Sequence, residues 1–417
     1  METMFALSPV IIRNFSEKTL NRFLYKNRLH AEYTRSGKQY CDFVQEYINN
    51  GTLSSFELGE LLYDDLLYGS QRLIFMYKIC SYNSKIQSKQ SLLEILQESY
   101  EYVDSLNINK ILYQPYNEEI KDLIGVKVVL GLDGRSIKKI NLIFSEKCTL
   151  TDSTGIHSEY SYITIDIDLI QKLLFVKVKP KSNLSDETKK PTNIAEKYFT
   201  KISKKFDISY HDFKGIHKQT LCNMNIELYE QIYQKMVQTK PKDLQEFIDQ
   251  LSNVIITKLG LTDYHEKVAD NNIFNVPDTL TKMIEHILIS NILYKAGADE
   301  TLEGVDGYVS YIKFSDGTNI SARLRSENYI EPIFSSEAYM ALRSSINNAK
   351  KIAILKVFWL NHFFGLRVSY DASNDQYLNI LLYQNHKKEE FEYAIKQYCE
   401  CESRTIEPNA DLFALEA

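Results

Sequence analysis

A stretch of strict polar and apolar alternation near the middle of the chain constrains its fold more than any other feature. It runs from residue 163 to 168, where apolar Ile163, Ile165 and Ile167 alternate with polar Thr164, Asp166 and Asp168. Because successive side chains of a strand point to opposite faces, this pattern predicts a β-strand whose isoleucines face a core. The sequence therefore predicts that at least one domain is built around a sheet.

The neighbouring sequence predicts that this sheet is antiparallel. Two runs rich in Val, Ile and Leu flank Asp133-Gly134, a dipeptide that accepts the positive φ of a tight hairpin turn. Residues 173–179 return as a further strand, with Lys177 and Lys179 on a common face. We predict an antiparallel sheet of about four strands over residues 124–180.

Helical periodicity dominates much of the remaining sequence. Ser54 and Glu57 have the spacing of a capping box at the start of a helix. Thr192 is expected to cap another helix that ends near Phe206. A second hairpin is predicted around the Ser-Asp-Gly-Thr turn at 315–318. These patterns predict the α+β class, with helical modules alternating with small antiparallel β-sheets.

The length of the chain predicts several domains. A chain of 417 residues is too long for one core of ordinary size, and 44% hydrophobic with 25% charged residues is typical of a folded protein. Residues 181–192 are almost without apolar side chains and contain a proline, which favours a linker. The predicted parts are a helical N-terminal domain (1–115), an antiparallel β module (116–182), a linker (183–191), a helical module (192–300), an α+β C-terminal module (301–401) and an acidic tail (402–417).

Cysteine usage and apolar run lengths favour a cytoplasmic protein. The six cysteines are mostly scattered, which is not the dense framework of a small secreted domain. The amino terminus lacks the basic region of a signal peptide. The longest apolar stretch, Ile352 to Leu360, is short and contains Lys356, so we expect no membrane partner.

Positive charge is concentrated in one segment of the chain. Residues 172–218 contain twelve lysines and five acidic residues, although the formal net charge of the protein is −6. Such a field attracts polyanions, so we expect contacts with nucleic-acid backbone. Arginine is absent from residues 136–322, which favours contacts that do not read base sequence. The candidate nucleic-acid-binding residues are Lys177, Lys179, Lys181, Lys189, Lys190, Lys197, Lys201, Lys204 and Lys205.

An ordinary solvated surface is the competing interpretation of this segment. Lysine outnumbers arginine 38 to 11 in the whole chain, a ratio that AT-rich codon usage alone produces. Runs of charge are usually solvated faces.

Catalytic and metal-binding patterns are weak in this sequence. Asp166 and Asp168, followed by Lys177, invite comparison with a nuclease core in which acidic residues on two strands hold a divalent metal. The comparison fails because Phe175 and Lys177 occupy the positions where the second carboxylate is needed. His211, His217 and Cys222 could supply two imidazoles and a thiolate to zinc, but no further cysteine or histidine follows at a usual zinc spacing. Exposed or core histidines are therefore the favoured interpretation.

Nucleotide-binding loops and the nucleophile elbow are also missing from the sequence. We therefore assign no catalytic residue, no metal and no cofactor, and the sequence favours a protein that is not an enzyme.

Three functions remain as hypotheses. The first is a non-catalytic binding subunit that contacts nucleic-acid backbone through the lysine-rich segment, within a multi-component bacterial or mobile-element system such as phage defence. The second is a scaffold or adaptor that binds a protein partner through the N-terminal helical region, without nucleic acid. The third is an enzyme whose active-site residues are dispersed along the sequence.

Overall fold

The structure is a computed structural model of the chain. It describes residues 5–69, 72–113, 122–152, 155–184, 186–237, 243–261, 275–315, 321–326, 331–360, 365–383 and 388–406. The chain forms two compact units. Unit 1 comprises Met1–Phe213 and Gln376–Glu392, and unit 2 comprises Lys214–Asp375 and Tyr393–Ala417.

Helices and strands are numbered in chain order over the described residues. The helices are α1 Pro9–Ile12, α2 Glu17–Lys26, α3 His30–Ser36, α4 Tyr40–Asn49, α5 Ser55–Tyr68, α6 Lys89–Gln97, α7 Pro191–Phe206, α8 Ile216–Val237, α9 Leu244–Lys258, α10 Val276–Leu302, α11 Glu337–Ala349 and α12 Lys388–Ile406. The strands are β1 Leu73–Ser81, β2 Asn107–Asn109, β3 Leu123–Leu130, β4 Ile137–Asp152, β5 Gly155–Asp168, β6 Leu173–Val178, β7 Ser209–His211, β8 Gly307–Ser315, β9 Ser321–Arg325, β10 Ile352–Trp359, β11 Leu366–Asp371 and β12 Leu378–Leu382. The predicted α+β class is confirmed.

Unit 1 is built around an antiparallel sheet in the order β2-β3-β4-β5-β6-β1-β12, with β7 also pairing with β1. The predicted turn between β3 and β4 forms as expected. Gly134 has φ 64° and the carboxylate of Asp133 accepts hydrogen bonds from the backbone N–H groups of Arg135 and Ser136. β4 and β5 then pair from Lys139↔Asp168 to Asp152↔Gly155, and β6 continues the sheet.

Both faces of this sheet are buried. Ile163, Ile165 and Ile167 pack on the face covered by α6 and α7, as the alternation predicts. The opposite face is covered in part by the N-terminal helices, whose core includes Ile143 of β4 and Tyr162 of β5. In a half-buried antiparallel strand the polar positions of β5 would face solvent, but here they do not. Their side chains, those of Thr164, Asp166 and Asp168, are buried on that second face.

The first part of the chain is less uniformly helical than the sequence predicts. Residues 73–81 form β1, which lies inside the sheet between β6 and β12. Its burial on both faces makes it a nearly continuous apolar run, and such a run has no period-2 alternation to mark it as a strand.

The domain boundaries given in the sequence analysis remain a sequence-based prediction. The predicted linker, 183–191, lies inside unit 1 and contains a short 3₁₀ helix, Glu187–Lys189. The last helix continues to Ile406, past the predicted start of the tail at 402, because Glu402 and Thr405 are buried. Residues 407–417 of the predicted tail lie outside the described part of the chain.

Unit 2 combines helices with the antiparallel strand order β11-β10-β8-β9. The predicted second hairpin forms between β8 and β9, which pair from Tyr311↔Arg325 to Ser315↔Ser321. Residues 316–318 of its turn lie outside the described residues. α8 packs against β10 and β8, and α9 packs against α10.

Membrane-spanning helices were searched for among the residues that the structure describes. None of these helices is long and apolar enough to cross a bilayer.

Candidate nucleic-acid interface

All nine lysines predicted to bind nucleic acid belong to unit 1, but they occupy different environments. Lys177 lies on β6, Lys179 and Lys181 follow it, and Lys189 and Lys190 precede α7. The remaining four lie on α7 at positions 197, 201, 204 and 205.

Lys177 faces the interior of unit 1. Its side chain is 1% exposed, and its Nζ donates to the carbonyl oxygen of Leu67 at 2.9 Å. Nζ also lies 3.6 Å from Oδ2 of Asp166 and 3.8 Å from the ring centroid of Phe391. Burial lowers the pKa of Lys177 to about 8, although the carboxylate of Asp166 opposes this shift. A buried ammonium group in this position cannot reach a phosphate at the surface.

Lys179 and Lys181 connect the end of β6 to the N-terminal helices. Lys179 Nζ donates to the carbonyl oxygen of Asn14 at 2.9 Å. Lys181 Nζ donates to Oδ1 of Asn14 and to Oε2 of Glu159, each at 2.7 Å. These bonds occupy both ammonium groups with partners inside unit 1.

The lysines beside and on α7 are partly neutralised by acidic residues. Lys189 and Lys197 both donate to Oε1 of Glu146, the latter at 2.7 Å. Burial would raise the pKa of Glu146, but these two hydrogen bonds outweigh it and hold that pKa below its usual value. Lys201 pairs with Asp122 at 3.0 Å.

The remaining three lysines of this region are partly or fully exposed to solvent. Lys205 donates to the hydroxyl of Ser99 at 2.8 Å. Lys190 and Lys204 are exposed.

The four lysines of α7 share one side of the helix, which we call the α7 lysine face. Positions 197, 201, 204 and 205 are related as i, i+4, i+7 and i+8, so they project in similar directions. The adjoining side of α7 is buried through Ile194, Tyr198, Ile202 and Phe206. This packing fixes which lysines face solvent.

The positive charge of the lysine-rich segment is balanced within its own unit. The sequence of unit 1 contains 30 lysine and arginine residues and 30 aspartate and glutamate residues. Any polyanion must therefore be attracted by local faces rather than by the net charge of the unit.

Asp166 and Lys177 also belong to a buried polar cluster on β4, β5, β6 and the start of β1. Several polar atoms there have no hydrogen-bond partner within the described structure. They are Nε and Nη1 of Arg72, Nδ2 of Asn141, Oγ1 of Thr164 and Oδ1 of Asp166. Buried polar atoms without partners are rare in folded proteins, so this cluster is an unusual interior feature of unit 1.

The cluster does not form the metal site of a nuclease. Phe175 stands opposite Asp166 in the sheet and packs on Phe391, with the ring centroids 5.3 Å apart. Asp168 pairs with Lys139 at 3.0 Å and accepts hydrogen bonds from the backbone N–H groups of Ile170 and Gln171. Across the described ranges, no three side chains of His, Cys, Asp or Glu gather in a way that could hold a metal ion.

The histidines considered as zinc ligands have other surroundings. His211 lies on β7 of unit 1, opposite Lys78 of β1. His217, near the start of α8 in unit 2, has Nε2 2.9 Å from the carbonyl oxygen of Asn374. Cys222 is buried, with Sγ 3.9 Å from the carbonyl oxygen of Ile346.

A cleft of about 290 Å³ opens beside the polar cluster in unit 1. It is lined by Thr19, Arg22, Leu61, Asp64, Asp65, Tyr68, Gly69, Lys388 and Glu389. Tyr68 separates it from Lys177, whose Nζ lies 4.8 Å from the tyrosine ring centroid. Both signs of charge line the cleft, and burial raises the pKa of Asp64. This lining selects neither an anion nor a cation.

Comparison with known proteins identifies no relative: no family model, curated protein or solved structure matches the chain.

A basic segment that sequence reasoning passed over lies near the amino terminus. Residues 13–38 contain seven lysines and arginines and two glutamates, including four of the eleven arginines of the chain. The distribution of lysines along the sequence does not reveal this segment, whereas the distribution of arginines does. Its side chains Arg13, Lys18, Arg22, Lys26, Arg28, Arg35 and Lys38 are all exposed.

Proposed function

We propose that this chain is a non-catalytic binding protein that contacts nucleic-acid backbone through the α7 lysine face. The observation that carries the proposal is the placement of four lysines on one side of a single helix, where Lys197 and Lys204 are exposed and Lys201 and Lys205 are partly exposed. At 1.5 Å per residue, these positions span about 12 Å. A row of ammonium groups of this length can contact several phosphates and release their counterions.

The acidic partners of this face do not prevent such binding. Exposed ion pairs such as Lys201–Asp122 contribute about 0–1 kcal/mol, so exchanging that carboxylate for a phosphate costs little. Glu146 is only 11% exposed, but it keeps its pair with Lys189 when Lys197 turns to a phosphate. Lys197 is 58% exposed and Lys201 35% exposed while paired with Glu146 and Asp122. The proposal therefore requires that phosphate and carboxylate compete for the same ammonium groups.

Titration with labelled duplex and single-stranded DNA and RNA at two salt concentrations tests the proposal. Joint substitution of Lys197, Lys201, Lys204 and Lys205 by Gln should weaken duplex binding at least tenfold. The slope of log K against log salt should fall by about 3 to 4 in magnitude, because four phosphate contacts are lost. The matched control replaces four exposed lysines of unit 2, Lys258, Lys350, Lys351 and Lys396, by Gln and should bind as wild type.

Removing a competing carboxylate tests the same proposal in the opposite direction. Asp122→Asn should strengthen binding, because Lys201 then lacks its carboxylate partner. Absence of binding at low salt would overturn the proposal. Equal loss of binding in the α7 variant and in the unit 2 control would assign the effect to net charge and reject the α7 face.

The biological setting remains a prediction. A place in a multi-component bacterial or mobile-element system, such as phage defence, requires a stoichiometric protein partner. Such a partner, lost on changing the N-terminal helices, would support the adaptor function if nucleic-acid binding fails.

A further inference from the structure

A second basic surface lies on α2 and the turn that follows it, and we call it the N-terminal basic face. Its residues are Lys18, Arg22, Tyr25, Lys26 and Arg28. The first four are related as i, i+4, i+7 and i+8, so they share the outer side of α2. This surface has no residue in common with the α7 lysine face.

The core of unit 1 determines the orientation of α2. Leu20, Phe23 and Leu24 are buried among the N-terminal helices. Ser16 is the N-cap of the helix, and its hydroxyl oxygen accepts a hydrogen bond from the backbone N–H of Thr19 at 3.1 Å. Because the apolar side of α2 is already used in the core, only its charged side meets solvent.

Most charges of this face have no acidic partner. Lys26 pairs with Glu57 at 3.3 Å. Among the described residues, Lys18, Arg22 and Arg28 form no ion pair, although Asp64 and Asp65 line the same cleft as Arg22. The α7 lysines contrast with this arrangement, since Lys197 and Lys201 are each held by a carboxylate.

An exposed aromatic ring lies among these charges. Tyr25 is 62% exposed, and its ring stacks on that of His30 with centroids 3.9 Å apart and an interplanar angle of 12°. Stacking on His30 favours this orientation of the tyrosine ring. A fixed, exposed aromatic ring beside guanidinium groups is the arrangement on which unpaired bases stack while the backbone is neutralised.

We propose that the N-terminal basic face binds single-stranded nucleic acid, with Lys18, Arg22 and Arg28 on phosphates and Tyr25 stacked on a base. Single strands fit better than duplexes, because paired bases do not offer their faces to a side chain. An anionic membrane fits less well, because α2 keeps no apolar side to insert. The ligand class is that of the proposed function, but the surface is different, so the two can be tested separately.

Two variants separate the charge contacts from the stacking contact. The first combines Lys18→Gln, Arg22→Gln and Arg28→Gly. Glycine is chosen at position 28 because Arg28 has φ 59°, a conformation that glycine adopts without strain. The second variant is Tyr25→Leu, which removes the ring and keeps every charge.

The triple variant should lose at least tenfold in affinity for a single-stranded oligonucleotide in fluorescence anisotropy. Its slope of log K against log salt should fall by about 2 in magnitude, as expected for three lost phosphate contacts on a single strand. Tyr25→Leu should weaken single-strand binding about tenfold with an unchanged slope, and should leave duplex binding unchanged. The control, Lys258, Lys350 and Lys351→Gln in unit 2, should bind as wild type, and all variants should melt within a few degrees of wild type.

Several results would overturn this inference. The first is a triple variant that binds single strands as tightly as the wild type does. The second is a Tyr25→Leu variant that binds single strands and duplex with equally weakened affinity. The third is binding to phosphatidylserine vesicles without binding to any oligonucleotide. Loss of single-strand binding in the α7 variant alone would also reject this face while leaving the proposed function standing. Loss of single-strand binding in the triple variant alone would support the N-terminal basic face and reject the α7 lysine face as the site for single strands.

Discussion

At the scale of single residues, Lys177 shows how far a side chain can depart from what its sequence context suggests. It was predicted as one of a series of phosphate-binding lysines, yet it is buried beside Asp166. Removing both charges from water is costly, and their attraction offsets the cost only when the pair stays together. The pair is therefore best understood as part of the interior of unit 1.

Lys177→Met should lower the free energy of unfolding by about 3–5 kcal/mol, because it leaves the carboxylate of Asp166 buried without its cation. The double variant Lys177→Met, Asp166→Leu should recover most of that loss, since no uncompensated charge remains. Urea unfolding of the wild type, Lys177→Met, Asp166→Leu and the double variant gives the coupling energy between the two side chains. A coupling energy near zero would mean that the two charges do not depend on each other.

At the scale of secondary-structure elements, the start of α5 shows what a local motif determines. The predicted capping box forms only in part. The hydroxyl of Ser54 accepts from the backbone N–H of Glu57 at 3.3 Å, as expected. The carboxylate of Glu57 instead pairs with Lys26 of α2 at 3.3 Å. A tertiary contact has taken the place of the second local hydrogen bond.

Ser54→Ala should therefore lower the free energy of unfolding by about 1 kcal/mol through loss of the cap. Glu57→Ala, which removes any side-chain acceptor at this position, should lower it by less than about 0.5 kcal/mol, because an exposed ion pair contributes little. Urea unfolding midpoints with unchanged m-values would measure both effects. Equal losses in the two variants would indicate a complete capping box instead.

α7 shows the same division between local and tertiary effects. Its predicted end at Phe206 is confirmed, but the helix begins at Pro191 with Lys190 at the N-cap rather than at Thr192. Proline suits the first turn because its missing N–H would have had no partner in the helix. The charges around the helix come from distant parts of the chain, since Glu146 and Asp122 are 51 and 79 residues from their lysines.

At the scale of the whole molecule, unit 1 is completed by a segment that follows most of unit 2 in the sequence. β12 pairs with β1 from Leu73↔Leu381 to Met76↔Leu378. Tyr377 packs on Phe75 with ring centroids 5.1 Å apart. The unit is therefore discontinuous in sequence, which no local pattern indicates.

A fragment of residues 1–213 should be markedly less stable than the same unit in the full chain, because it lacks β12. Leu378, Ile380 and Leu382 are buried, and each buried side chain of this type contributes about 1.5–3 kcal/mol. Co-expression with a peptide of residues 376–392 should raise the melting temperature of the fragment, whereas a scrambled peptide should not. An equally stable fragment without the peptide would show that β12 is dispensable.

The sequence by itself determined the features that depend on neighbouring residues. Alternation around Ile165 identified β5 and its α7-facing side, Asp133-Gly134 identified the turn before β4, and Ser54 identified the start of α5. Only the tertiary structure decided that Asp166 and Lys177 are buried together, that acidic residues pair with two of the four lysines of α7, and that Lys18, Arg22 and Arg28 keep their charges exposed. The physical reason is that periodicity shows which side chains share a face, whereas the partners that cover or neutralise that face come from distant parts of the chain.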